Sequence, residues 1–375
     1  VTSSFPLART EVEDLQAYSA PLEGRRGLLR LDFNENTVGP SPKVLEALRA
    51  IPADHIAIYP EYDGLREAVV ANLCAPRADG TPALAHPLSP DQIGLFNGVD
   101  AAIHAIFHAY GDSWQTLLTT SPTFGYYSPC ARMQGMVIEA IPYDGPAFAF
   151  PLKAIRKVLL DEPHPRLLLI CNPNNPTGTR LAPEVILELA AAAPLTLVVV
   201  DELYEAFTGD SVLPKADFTA TPNLVVLRSL AKTAGLAGLR IGFAIGAAPV
   251  VERISRVTGP YDINSFAVTA ALAALADQPY TDAYVAEVLR ARDWLVAQLR
   301  SAGVRHHAAG GNYLLIWPAN PAVEVGRRLR EAGILVRSMA GKPLIDGSLR
   351  VSIGTSEQMQ RFWEAYQAAD LSATP

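Results

Sequence analysis

The chain has 375 residues, 49% of them hydrophobic and 18% charged, which suits one large and one smaller domain that fold without help. A formal net charge of -7, with no lysine- or arginine-dense block, argues against a polyanion-binding surface, so nucleic acid is not an expected partner. Cys74, Cys130 and Cys171 are scattered and odd in number, which excludes a disulfide framework or a paired-cysteine metal site and fits a reducing cytoplasm.

Taken in chain order, the first residues lack the basic start and apolar core of a secretory signal. The most apolar run, Leu189 to Val200, contains Pro194 and falls far short of the roughly 20 residues that span a bilayer, so no membrane role is expected. Residues Ala75 to Pro90, dense in proline, alanine and polar side chains, read as a surface loop. Phe96 to Asp100 (F-N-G-V-D) is a turn that leads into a helix. His104 and His108 stand four apart on that helix, but no third metal ligand is visible, and they read as surface histidines.

Leu167–Ile170 and Leu195–Val200 are continuous apolar runs that end in polar residues, the pattern of strands covered on both faces. Pro183 to Ala192 between them has helical spacing with proline at the start. Leu224–Leu227 and Ile241–Ile245 add further strands, so the fold class is α/β, a mostly parallel sheet flanked by helices. Beyond Pro260 the texture changes. One long helix over about 266–298, strands at Tyr313–Trp317 and Leu349–Ile353, and a helix from Ala322 to Ala332 predict a smaller α+β domain. The expected division is an N-terminal arm over 1–30, a large domain over 52–258, and a small domain made of 31–51 and 259–375.

Ligands of such sheets gather beyond the carboxyl ends of the strands. Just past three of these runs stand C-N-P-N-N-P-T-G, D-E-L-Y and R-S-L-A-K. Singly, the first is a pair of proline turns, Asp201 a helix cap, and Lys232 a solvated lysine. Together they deliver an amide, a carboxylate and an ammonium into one crevice. G-L-A-G-L-R-I-G lacks the lysine and hydroxyl of a P-loop and the spacing of a dinucleotide site.

The ordered set Asn175-Pro-Thr-Gly178, Asp201, Tyr204, Ser229 to Arg240 (S-x-x-K-x7-R) and Arg350 in L-R-V-S-I-G-T resembles the class I/II pyridoxal-phosphate aminotransferases. Within that class, L-D-F-N-E-N-T-V-G-P-S-P, Y-P-E and K-T-A-G-L-A-G-L-R-I-G look like the histidinol-phosphate aminotransferase family. The resemblance covers nearly the whole chain. It implies the pyridoxal-phosphate-dependent transferase fold of type I and transamination between histidinol phosphate and 2-oxoglutarate/glutamate, in histidine biosynthesis. An aromatic amino acid aminotransferase is the alternative, and a phosphothreonine decarboxylase on the same scaffold is a more distant one.

The resemblance implies that Lys232 anchors pyridoxal 5'-phosphate and moves the substrate proton. Its apolar, cation-adjacent setting lowers the pKa of a lysine, which suits that work. Asp201 is expected on the pyridine nitrogen, Asn175 and Tyr204 on the ring oxygen, and Phe124 on the ring face. Ser229, Arg240 and the backbone of Gly98, Val99, Asp100 and Ala101 are expected at the phosphate. Ala101 and Ala231 stand where many relatives carry an acidic residue and a second serine. Tyr59 corresponds to a tyrosine that reaches the phosphate of a neighbouring subunit, which implies a homodimer with shared active sites. On the substrate side, Arg350 with Asn36 beside it is expected at an α-carboxylate, Arg337 near a distal phosphate, and Tyr18 as a closing arm residue; histidinol phosphate has no α-carboxylate, so for it both arginines are expected to act together on the phosphate ester. The expected partners are a small-molecule amino donor and a 2-oxo acid.

Overall fold

The computed structural model describes residues 6–16, 23–77 and 79–371. Tyr18 therefore lies outside the described residues. Strands appear in chain order as β1 (Leu29–Leu31), β2 (Ile93–Phe96), β3 (Thr116–Ser121), β4 (Val137–Pro142), β5 (Leu167–Cys171), β6 (Leu197–Asp201), β7 (Leu224–Ser229), β8 (Gly242–Gly246), β9 (Arg305–His307), β10 (Tyr313–Trp317), β11 (Ile334–Ser338) and β12 (Leu349–Ser352). They form a seven-stranded sheet in the order β2-β8-β7-β6-β5-β3-β4 and a five-stranded sheet in the order β1-β11-β12-β10-β9.

The larger sheet is parallel except for β8, which runs antiparallel to both β2 and β7. Every residue of β5, β6 and β8 is buried, because helices cover both faces and alternate side chains enter different cores. Leu168, Ile170, Val198, Val200 and Val226 pack with Ile155, Ile186 and Leu189 on one side. Leu167, Leu169, Val199, Val225 and Leu227 pack with Ile103, Ile106 and Phe107 on the other. The smaller sheet closes a third core with helices Gln278–Ser301, Ala322–Glu331 and Ser356–Tyr366.

Three expectations from the sequence change here. The single helix over about 266–298 is two helices, Ser265–Leu275 and Gln278–Ser301. Pro279 lies in the first turn of the second helix; lacking an N–H, it starts a helix and cannot continue one. Helix Pro42–Arg49 and helix Ser265–Leu275, both expected with the smaller body, put Val44, Ala267, Ala270 and Ala271 into the larger core. Apolar stripes of this kind fit either core, and the tertiary contact decides. The segment from Ala75 to Pro90 is more than a surface loop, since Leu84 and Leu88 are buried in the larger core and the Ala85 N–H donates to Pro214 O.

The topology gathers the polar loops at one edge. The carboxyl ends of β2, β3, β5, β6 and β7 lead into Gly98, Phe124, Asn175, Tyr204 and Lys232, while antiparallel β8 brings Arg240 to that edge from its amino end.

Candidate active site

Lys232 is partly buried, and its Nζ donates to Phe33 O at 3.0 Å and stands 6.0 Å from the Tyr204 ring centroid. Burial, followed by the charge of Arg350, pulls its ammonium down to about 8; Glu35 and Asp100 oppose the shift. A lysine in this state loses its proton within reach of neutral pH.

Asp201 ends β6 with 2% of its surface exposed. Its carboxylate accepts from Tyr127 Oη at 2.6 Å and from the Leu203 N–H at 3.2 Å. Burial pushes the carboxyl up to about 6 despite those two donors. Phe124 lies edge-on to Tyr127, with ring centroids 5.4 Å apart, on the same side of the crevice.

Asn175 Oδ1 accepts from Arg350 Nη1 at 2.6 Å, and its Nδ2 donates to Tyr204 Oη at 3.4 Å. Arg350 also donates from Nη2 to Asp32 O at 2.6 Å. Arg337 lies directly opposite Arg350 in the antiparallel β11–β12 pair, so both side chains leave one face of the sheet. The Arg337 guanidinium stands 5.8 Å from the Phe33 ring centroid, and that of Arg25 stands 4.1 Å from it.

At the other end of the crevice, Arg240 Nη2 pairs with Asp100 Oδ2 at 2.7 Å. Gly98 has φ +77° and precedes helix Val99–Tyr110; a Cβ there would lie 2.5 Å from Arg240 Nη2. The N–H groups of Gly98 and Ala101 go to Phe96 O and Gly98 O, so Val99 and Asp100 offer the opening donors of the helix. Ser229 Oγ accepts the Ala231 N–H at 3.1 Å and donates to Ile241 O at 3.2 Å, tying the lysine loop to β8.

The segment Asp32 to Asn36 crosses this crevice and touches nearly every group in it. Asp32 O holds Arg350, Phe33 O holds Lys232, and Asn34 Nδ2 donates to Tyr204 Oη at 3.1 Å. Glu35 pairs with Arg25; burial works against the carboxylate, but Arg25 and then Arg30 hold it below the ordinary range.

Asn36 was expected beside Arg350. Its Nδ2 instead donates to Thr233 O at 2.8 Å and its Oδ1 accepts from the Val38 and Gly39 amides, so it fastens this segment to the lysine loop. Tyr59 lies outside the crevice of its own chain, 71% exposed and stacked on Tyr261 at 4.1 Å. Lys232, Asp201, Asn175, Tyr204, Phe124, Ser229, Arg240, Gly98, Val99, Asp100, Ala101, Arg337 and Arg350 gather around the crevice. Sequence reasoning missed Tyr127, Asn34 and Arg25. Tyr127 stands in the G-Y-Y that follows Phe124, and Asn34 lies within the quoted L-D-F-N-E-N, so both were adjacent to recognised signals.

The groups present fit a phosphorylated pyridine aldehyde. The Asp201 carboxylate receives its hydrogen bonds from neutral donors and suits a cationic ring nitrogen. Gly98, lacking a Cβ, lets the Arg240 guanidinium pack against the start of helix Val99–Tyr110, so an anion there can meet both.

The family model for aminotransferase class I and II matches residues 26–365. Histidinol-phosphate aminotransferase 2 of Thiobacillus denitrificans is 34% identical over 347 residues, covering 91% of each chain. Histidinol-phosphate aminotransferase 1 of Pseudomonas fluorescens is 32% identical, covering 89% of this chain and 90% of its own. Among solved structures, histidinol-phosphate aminotransferase from Sinorhizobium meliloti in complex with pyridoxal-5'-phosphate superposes with a TM-score of 0.85 at 23% identity, covering 100% of both chains. A double mutant of Thermus thermophilus aspartate aminotransferase gives a TM-score of 0.79 at 25% identity, covering 97% of this chain and 100% of its own. No helix among the described residues is long and apolar enough to cross a membrane.

Proposed function

Because this chain belongs to the class I and II aminotransferase family, we propose that it moves an amino group between histidinol phosphate and 2-oxoglutarate, with glutamate as product and pyridoxal phosphate as cofactor. The observation that carries the choice of substrate is the cross-strand pair Arg337 and Arg350. Like charges directly opposite in a sheet repel, and a phosphate ester is the ligand whose charge and oxygen count satisfy both. The named relatives point the same way.

The cofactor, when bound, supplies an aldehyde and an electron-withdrawing ring that takes up the electron pair left as a proton leaves the substrate carbon. Lys232 Nζ would hold the aldehyde and, as a free amine, would be the base that takes up that proton; burial that lowers its ammonium to about 8 keeps the amine accessible near neutral pH. Asp201 would hold a proton on the ring nitrogen, and Asn175 and Tyr204 would hydrogen-bond the ring oxygen. Arg240, Ser229 and the Val99 and Asp100 amides would bind the cofactor phosphate. Phe124 would cover a ring face.

The exposed Tyr59 and Tyr261, with Ile56 and Ile58 also exposed nearby in sequence, suit burial against a second copy of the chain. In that homodimer Tyr59 reaches the phosphate of the partner's site. The free thiols of Cys74, Cys130 and Cys171 suit a reducing cytoplasm.

The test of the substrate reading is Arg337→Gln. Removing one guanidinium from a charge-assisted contact costs about 2 kcal/mol, so kcat/KM for histidinol phosphate falls about thirtyfold. The visible absorbance of the bound cofactor stays unchanged. An unchanged kcat/KM refutes the assignment of Arg337.

A further inference from the structure

We infer that Asn34 and Ser352 are positioning residues that fix the direction of the Tyr204 hydroxyl proton. The inference rests on the functional reading above and concerns residues for which neither the family resemblance nor the strand-end pattern supplied a role.

Asn34 is fully buried and holds φ +54°, a conformation that asparagine tolerates better than other side chains. Three contacts keep it there. Its N–H donates to Ser352 Oγ at 2.8 Å, its Oδ1 accepts from the same Oγ at 3.0 Å, and its carbonyl accepts from Asn312 Nδ2 at 3.2 Å. Ser352 and Asn312 are themselves fully buried, so none of these bonds competes with solvent.

The arrangement has a direction. Ser352 Oγ already accepts the Asn34 N–H, and its own proton goes to Asn34 Oδ1. That leaves Nδ2, a donor, facing Tyr204 Oη at 3.1 Å. A flipped amide would present Oδ1 to Tyr204, take the phenol's proton, and leave the serine hydroxyl facing an N–H group. Asn175 Nδ2 approaches the same Oη at 3.4 Å. With two amide donors on its lone pairs, Tyr204 turns its proton to the ring oxygen of the bound cofactor. Ser352 lies two residues beyond Arg350 on β12, on the same face, so one strand positions both the substrate cation and this relay.

The experiment is a pH titration of the visible absorbance of the protein loaded with pyridoxal phosphate, for wild type, Tyr204→Phe, Ser352→Ala and the double variant. The cofactor's ring oxygen shares a proton with the lysine nitrogen, and a donor from Tyr204 stabilises that oxygen without the proton. Losing the donor therefore moves the midpoint up, by about one to two pH units for Tyr204→Phe. Ser352→Ala is expected to move it up by part of that amount, and the double variant to match Tyr204→Phe alone. An unmoved midpoint in Ser352→Ala, or additive shifts in the double variant, overturns the inference.

Asn34→Gly accepts the same backbone angle without the amide, and it decides the matter if Ser352→Ala does not fold. Its midpoint also rises; no rise overturns the inference. Loss of the absorbance in both variants while Tyr204→Phe keeps it counts against the inference as well, because a role exerted through Tyr204 costs no more than its hydroxyl. Wild-type protein that gives no lysine-bound absorbance refutes the functional reading together with this inference, whereas normal absorbance with unmoved midpoints refutes this inference alone.

Discussion

Asp201→Asn separates the stability of the site from its chemistry. In the folded protein without cofactor, burial raises the Asp201 carboxyl from 3.8 to about 6, against the donors Tyr127 and Leu203. A group with a raised folded pKa stabilises the fold fully below its unfolded value and loses that contribution as pH rises through the folded value. Between pH 3.8 and about 6 the unfolded chain releases this proton while the folded chain keeps it, so the fold loses about 3 kcal/mol. Roughly 2 kcal/mol of that loss falls between pH 4.5 and 7. Asparagine has nearly the same shape, still accepts from Tyr127, and carries no proton to lose. In urea titrations of cofactor-free protein, the stability of Asp201→Asn minus that of wild type should therefore grow by about 2 kcal/mol from pH 4.5 to 7 and then level off. The Asn amide adds a constant offset, which this difference cancels. With cofactor bound the sign reverses: the variant cannot hold the ring cation, and kcat falls about a hundredfold or more. A stability gap that does not change with pH, or that shrinks as pH rises, refutes the account of Asp201 as a buried carboxylate awaiting a cation.

Gly98→Ala puts a Cβ 2.5 Å from Arg240 Nη2, so pyridoxal phosphate affinity, measured by absorbance titration, should fall about tenfold or more. Gly145→Ala is the control at a positive φ of +62°, with nothing within 4 Å of the added atom, and should leave that affinity alone. Tyr59→Ala and Lys232→Ala should each be nearly inactive, and mixing the two after subunit exchange should restore up to about a quarter of wild-type activity if each site draws on two chains. Mixtures that stay inactive, with exchange verified by mass, exclude a shared site.

The proposed cofactor-binding groups were legible because each follows an apolar run that could only be a buried strand: Asn175 after β5, Asp201 at the end of β6, and Lys232 after β7. One-dimensional spacing sufficed where chemistry sits at a strand end. It did not suffice for Asn34, whose partner Tyr204 is 170 residues away, or for Tyr127, whose partner Asp201 is 74 away. No local pattern encodes such contacts. Asn36 lies in a recognised motif, and its bonds in this structure hold Thr233 and two loop amides, a role the motif did not suggest. The break before Pro279 was written in the sequence and overlooked inside an alanine-rich run. By contrast, the placement of helix Pro42–Arg49 against the larger core depends on packing that its own apolar stripe does not specify.

Transamination of a phosphate ester held between Arg337 and Arg350 is tested most directly by comparing kcat/KM for histidinol phosphate and for phenylalanine, with 2-oxoglutarate as acceptor and pyridoxal phosphate present. The ratio reads differential binding of the two transition states. A preference of about a hundredfold or more for histidinol phosphate is expected, most of it lost in Arg337→Gln. Equal values, or a preference for phenylalanine, would keep the Lys232 chemistry and contradict the substrate.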